Sequence, residues 1–225
     1  MRVVTRALFA FGVLITSSAL AYPGGTWTHR SSPGFSFWHN FWCDLLSTRA
    51  LDGRPNLLGS LLARAAFAAF ALALVRFWPL AIALSGGAAQ RDNPNAATDE
   101  PREPGRAARL TGQSGAICLL VVALVPAATS QTLHGVAVLV SAGASVAAAA
   151  MLLPGLWRNG ERTAVALGTL TLMLAVVCLV QYVYQGVGGH VAHWLAGMQK
   201  ITTAGLLAFM VHLLQRARVM VTARA

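Results

Sequence analysis

The apolar residues of this chain collect in six long runs, at about residues 3–22, 57–78, 115–129, 133–157, 163–184 and 191–214. A helix needs roughly 20 apolar residues to cross a hydrocarbon core, so each run predicts a transmembrane helix. The third run is short and ends at Pro126, and its helix is expected to reach back through Gln113 and Leu110. Between the first two runs, residues 35–47 (FSFWHNFWCDLLS) follow a different pattern. Helical spacing puts Phe37, Trp38, Phe41, Trp42 and Leu45 on one stripe and Ser36, Asn40, Asp44 and Ser47 on the other. An aromatic stripe backed by a polar one suits a helix lying in the membrane interface. The expected fold is therefore all-α, a polytopic membrane helix bundle of six transmembrane helices plus a short outer interfacial helix. Residues 1–225 form one integral membrane domain.

Composition agrees with a bilayer as solvent: 56% of residues are hydrophobic, 11% are charged, and the mean hydropathy is +0.60. The net charge of +10 does not mark a nucleic-acid binder, because the arginines sit at the ends of apolar runs and not on a polar, aromatic-studded domain. They set the orientation instead. With the N terminus inside, Arg2, Arg6, Arg91, Arg102, Arg106, Arg109, Arg158, Arg162, Arg216, Arg218 and Arg224 all face the cytoplasm, leaving Arg30, Arg49 and Arg54 in an outer loop. The expected location is the plasma (inner) membrane, with both termini cytoplasmic and the lipid bilayer as the principal partner. Residues 85–112, which include GGAAQRDNPNAATDEPREPG, bury too little apolar surface to order themselves and read as a flexible cytoplasmic loop. The first run also fits a secretory signal, with a basic start, an apolar centre and Ala19, Leu20 and Ala21 as a cleavage pattern, so the residues allow a cleaved or a retained helix.

In this topology His29, His39, His134, His190 and His193 fall on the outer side with Asp44 and Asp52. Helical spacing aligns His190, His193, Gly197, Lys200 and Ala204. Lys200 then lies about 15 Å along the helix from His190, where a lysine costs on the order of 2.5–3.5 kcal/mol unless it finds a partner. Arg64 poses the same problem in the second run, while Arg76, beside Phe77 and Trp78, reads as an inner anchor. Pairing Asp44 or Asp52 with Arg64 or Lys200 is the economical solution, and Asp44 is favoured from its place on the polar stripe. The candidate ligand-binding set is Asn40, Asp44, Arg64, His134, His190, His193, Gln199 and Lys200. These would line an outer-facing polar cavity for a lipid headgroup or small amphiphile.

The same residues also suit a polar network that fixes helix packing, or a structural subunit with no site. His134, His190, His193 and Asp44 are donor types that zinc accepts, which admits a metal-dependent lipid hydrolase. A His-x-x-His spacing does not by itself aim two rings at one ion, and no metal or cofactor is assigned. Nucleophilic triads and phosphate-cradling glycine loops are absent, which leans away from an enzyme. Cys43, Cys118 and Cys178 lack Cys-x-x-Cys spacing and read as small hydrophobes. On the fourth run, Gly143 with Ala147 and Ser141 with Ser145 mark a face for close helix approach.

Five short motifs together resemble an uncharacterised prokaryotic family of six-helix membrane proteins, the domain of unknown function nine-nine-eight. They are Tyr22, Pro23, Gly24 and Gly25; Asn40 with Asp44 and Leu45; Gly53 with Pro55 and Asn56; Leu133 with His134; and Gly197, Met198, Gln199 and Lys200. The family pattern has Ser-Asp-Leu where this chain has Cys43, Asp44 and Leu45, and Gln-Arg where it has Gln199 and Lys200. The resemblance implies six retained helices with polar motif residues around the outer half of the bundle. It implies no reaction.

Overall fold

The computed structural model describes residues 1–91, 103–188, 192 and 194–222. Among them are six long α-helices and one short 3-10 helix, with no strand beyond two isolated bridges. The helices are α1 (Arg2–Ala21), α2 (Leu57–Arg91), α3 (Glu103–Leu124), α4 (Gln131–Arg158), α5 (Arg162–Gly186) and α6 (Leu195–Thr222), and the 3-10 turn is Trp42–Leu46. All six are long and apolar enough to cross a membrane. In hydrocarbon the backbone must satisfy its own hydrogen bonds, and continuous helices do so.

Consecutive helices pack on each other, and α2 also touches α4 and α6, so it forms the spine of the bundle. Small residues explain the close fit: Ala63, Ala66, Ala71 and Ala73 on α2 are fully buried, and the rings of Phe11 on α1 and Phe70 on α2 stack at 4.7 Å. Pro79 is carried inside α2. The close approach between α3 and α4 falls at Gly115, where a Cβ would lie 3.0 Å from Ser141 O and Ser145 Oγ. Gly143 meets open space instead, so the expected packing face is borne by the serines and not by that glycine.

Alternation of the helices gives the bundle two unlike ends. At the basic end, Arg218 Nη2 donates to Thr5 Oγ1 (2.9 Å) and Arg216 forms a two-pronged pair with Glu161 (2.7–3.0 Å). The other end carries residues 22–56 and is called here the loop end.

Two expectations change. The stretch 35–47 is not an interfacial helix along its length; only Trp42–Leu46 forms a helical turn, and it is a 3-10 turn whose Asp44, Leu45 and Leu46 are buried. The loop expected over 85–112 is largely taken up by helix, since α2 runs to Arg91 and α3 starts at Glu103; residues 92–102 lie outside the described residues.

Candidate functional site

The loop end is folded by side chains that take over backbone hydrogen bonds. The N–H of Ser36 donates to Asn40 Oδ1 (2.8 Å), and the N–H of Phe41 donates to Asp44 Oδ2 (2.8 Å). Such local side-chain acceptors compete with helix formation. Asn40, fully buried, spends its amide donors on Gly25 O (2.9 Å) and Asp44 Oδ2 (3.2 Å). Gly25 can present that carbonyl because its φ of +85° suits glycine, and a Cβ there would collide with the backbone of Leu51 and Asp52. The indole Nε1 of Trp27 completes the shell around the carboxylate by donating to Asp44 Oδ1 (3.1 Å).

Asp44 thus accepts three hydrogen bonds while only 8% exposed. Burial pushes its carboxyl up to about 6, against the opposing pull of the Phe41, Asn40 and Trp27 donors and of Lys200. Its neighbour Cys43 is pushed up to about 12 by burial and by the Asp44 charge, so it is a neutral thiol and a poor nucleophile at physiological pH.

Lys200 enters this cluster from α6 and is 3% exposed. Its ammonium donates to the carbonyls of Asn40 and Ala196, the latter at 2.9 Å. The rings of Phe35 and Trp42 lie 5.1 Å from Nζ and that of Phe37 lies at 5.4 Å, an aromatic cage of cation–π type. One residue earlier, Gln199 Oε1 accepts the backbone N–H of Trp42 (3.1 Å), tying α6 to the 3-10 turn a second time. A third tie is steric, because a Cβ at Gly197 would run into the indole of Trp38.

Of the expected site residues, Asn40, Asp44, Gln199 and Lys200 meet here. The expected ion pairs do not form. Asp52 pairs with Arg54 (2.6 Å), which also reaches Pro23 O, and Lys200 is held by carbonyls and rings in place of a direct carboxylate bridge. Arg64 donates to Leu46 O (3.4 Å) and its Nε is buried without a partner. His134 is a buried residue whose Nδ1 lies 2.7 Å from Val125 O; it serves the α3–α4 junction, where Pro126 interrupts the backbone ladder. His190 and His193 lie outside the described residues. Among the described residues no three His, Cys, Asp or Glu side chains gather as a metal site would require.

The sequence reading missed two features. Trp27, Gly25, Asn56 and Ser60 brace the cluster: Asn56 Nδ2 donates to Ser47 O (2.9 Å) and Leu45 O (3.3 Å), and Ser60 Oγ donates to Leu46 O (2.8 Å). Asn56 was in view only through its motif. The second feature is a cavity of about 230 Å³ inside the bundle, lined from all six helices and from the 3-10 turn. Its roof is Trp42, Cys43 and Gln199, directly attached to the polar cluster, and its walls include Phe70, Leu172 and Phe209. From Gln199 to Phe209 along α6 the cavity extends about 15 Å. The polar residues therefore form a plug over an apolar chamber, where an open polar cavity was expected.

No protein family, curated protein or solved structure matches the chain.

Proposed function

We propose that this membrane protein binds a small amphiphile inside the bilayer, with the apolar body in the central chamber and the polar head beneath the loop-end plug. One observation carries the reading: a chamber bounded by every helix and capped by Trp42 and Gln199. Packed interiors seldom leave such voids open, and an apolar cavity of 150 Å³ already admits benzene, so this one suits about nine non-hydrogen atoms. A full lipid headgroup does not fit, which narrows the expected ligand to a single-chain molecule. The loop end is proposed to face outward and both termini the cytoplasm of a plasma membrane, supported by the arginine distribution. A retained α1 is supported by its buried face of Val4, Ala7, Phe11, Ile15 and Ser18. Membership in the six-helix family of unknown function is likewise proposed, supported by the gathering of Tyr22, Gly25, Asn40, Asp44, Asn56 and Lys200 from the shared motifs at one end.

The test is native mass spectrometry of the chain released from membranes, wild type against Ala175→Phe, which fills the chamber from α5. The proposal predicts a bound adduct of one small amphiphile in the wild type and its loss in the variant, with thermal stability kept or raised. Wild type without an adduct, after reconstitution with total membrane lipid, would sink it.

A further inference from the structure

The chamber's chemistry restricts what its occupant can be, and this inference rests on the chamber being a ligand site. No Asp, Glu, Lys, Arg or His lines it. The nearest cation, Lys200, is turned to the carbonyls of Asn40 and Ala196. A charged head would thus be buried without a counter-charge, at high cost.

The polar atoms that do face the occupant are biased toward donors. The backbone N–H of Trp42 can only donate, so the Gln199 oxygen must face it and the Gln199 NH2 is the free end of the amide. Among the described residues that NH2 has no hydrogen-bond partner. Nor has the indole Nε1 of Trp42, which is buried in the same roof. Thr171, Thr202 and Thr203 point in the opposite sense, because each has already donated its hydroxyl proton to a carbonyl of its own helix (2.8–2.9 Å). The roof therefore offers two unused donors, and a buried donor without a partner is costly. One carbonyl oxygen has two lone pairs and can answer both.

We infer that the chamber selects neutral, carbonyl-headed chains, seated with the oxygen at Trp42 Nε1 and Gln199 Nε2 and the alkyl tail running along α6 toward Phe209. An alcohol answers the roof less well, since it brings a donor of its own.

The experiment is equilibrium binding of labelled probes of matched size to the full chain in nanodiscs, with occupancy expressed against each probe's mole fraction in the bilayer. The probes are 2-octanone, nonane and octanoate. The inference predicts that 2-octanone binds about five- to tenfold more tightly than nonane, the worth of one or two net hydrogen bonds, and that octanoate binds more weakly than either. Trp42→Phe and Gln199→Met should each bring the ketone-to-alkane ratio close to one. If 2-octanone and nonane bind the wild type equally, or octanoate binds most tightly, the inference is overturned while the chamber reading stands. If none of the three binds, the chamber reading itself fails. Should a variant not fold, the wild-type ratio decides alone.

Discussion

The two ends of the bundle each hold a cation and a carboxylate, and they handle them in opposite ways. At the basic end, Arg216 keeps 45% of its side chain exposed and grips Glu161 through two nitrogens. The Glu161 carboxylate raises the Arg216 pKa, first through the hydrogen bonds and then through its charge. At the loop end, Lys200 and Asp44 are both buried, yet each is satisfied mainly by other groups: carbonyls and rings for the lysine, N–H donors for the aspartate. The exposed pair is an interaction between two side chains. The buried pair is a set of hydrogen bonds that orders residues 22–56, and its charges act on each other only through the intervening structure. The difference teaches that carboxylate count is a poor guide to how a membrane protein accommodates a buried cation. Backbone carbonyls freed by an irregular segment do the same task.

The sharpest way to break this comparison is to remove the loop-end carboxylate. Asp44→Ala strands the donors of Trp27, Phe41 and Asn40 together, and the expected loss is on the order of 3 to 5 kcal/mol in thermal unfolding of the reconstituted protein. A loss below about 1 kcal/mol would mean that the network does not hold the cap.

The next largest effect is on pH. Asp44 has a folded pKa of about 6 against 3.8 for the free side chain, so the folded state binds this proton more tightly than the unfolded one. Its contribution to stability is greatest below pH 4, falls as pH rises through about 6, and is level above that. The full change is roughly 3 kcal/mol. Unfolding midpoints from pH 4 to 8 should show this decline in the wild type and lose it in Asp44→Asn. A decline of the same size in Asp44→Asn would assign it to another group.

The smallest effect belongs to the basic end. Glu161→Gln leaves Arg216 free to hydrate, and the expected cost is about 1 kcal/mol or less, shrinking further in high salt. If Glu161→Gln costs as much as Asp44→Ala, the contrast between the ends collapses.

Six spanning helices were readable because hydropathy is a property of each run by itself: α1, α4 and α5 begin and end within two residues of the expected bounds. The α3 start was not readable to that accuracy, because Glu103, Arg106 and Arg109 continue the helix outside the apolar stretch that hydropathy detects. Residues 35–47 show where a periodic pattern misleads. Their spacing is amphipathic, but Asn40 and Asp44 capture the N–H groups of Ser36 and Phe41 that a helix would need. The meeting of Asn40, Asp44, Gln199 and Lys200 could be anticipated from the scarcity of polar groups on one side of the membrane. His134 could not be assigned from scarcity, since its partner is the Val125 carbonyl, to which the sequence gives no clue beyond the neighbouring Pro126. The chamber had no signature at all. It arises from how Phe70, Leu172 and Phe209, ordinary core residues on three helices, fail to meet.

The most direct measurement of the central claim is the electron density inside the bundle in crystals grown from a lipidic mesophase. The account predicts an elongated feature between Phe70, Leu172 and Phe209, with its head against Trp42 and Gln199 and the Asn40, Asp44 and Lys200 cluster closed above it. Helices α5 and α6 collapsed onto α2, with side chains filling the volume, would contradict it.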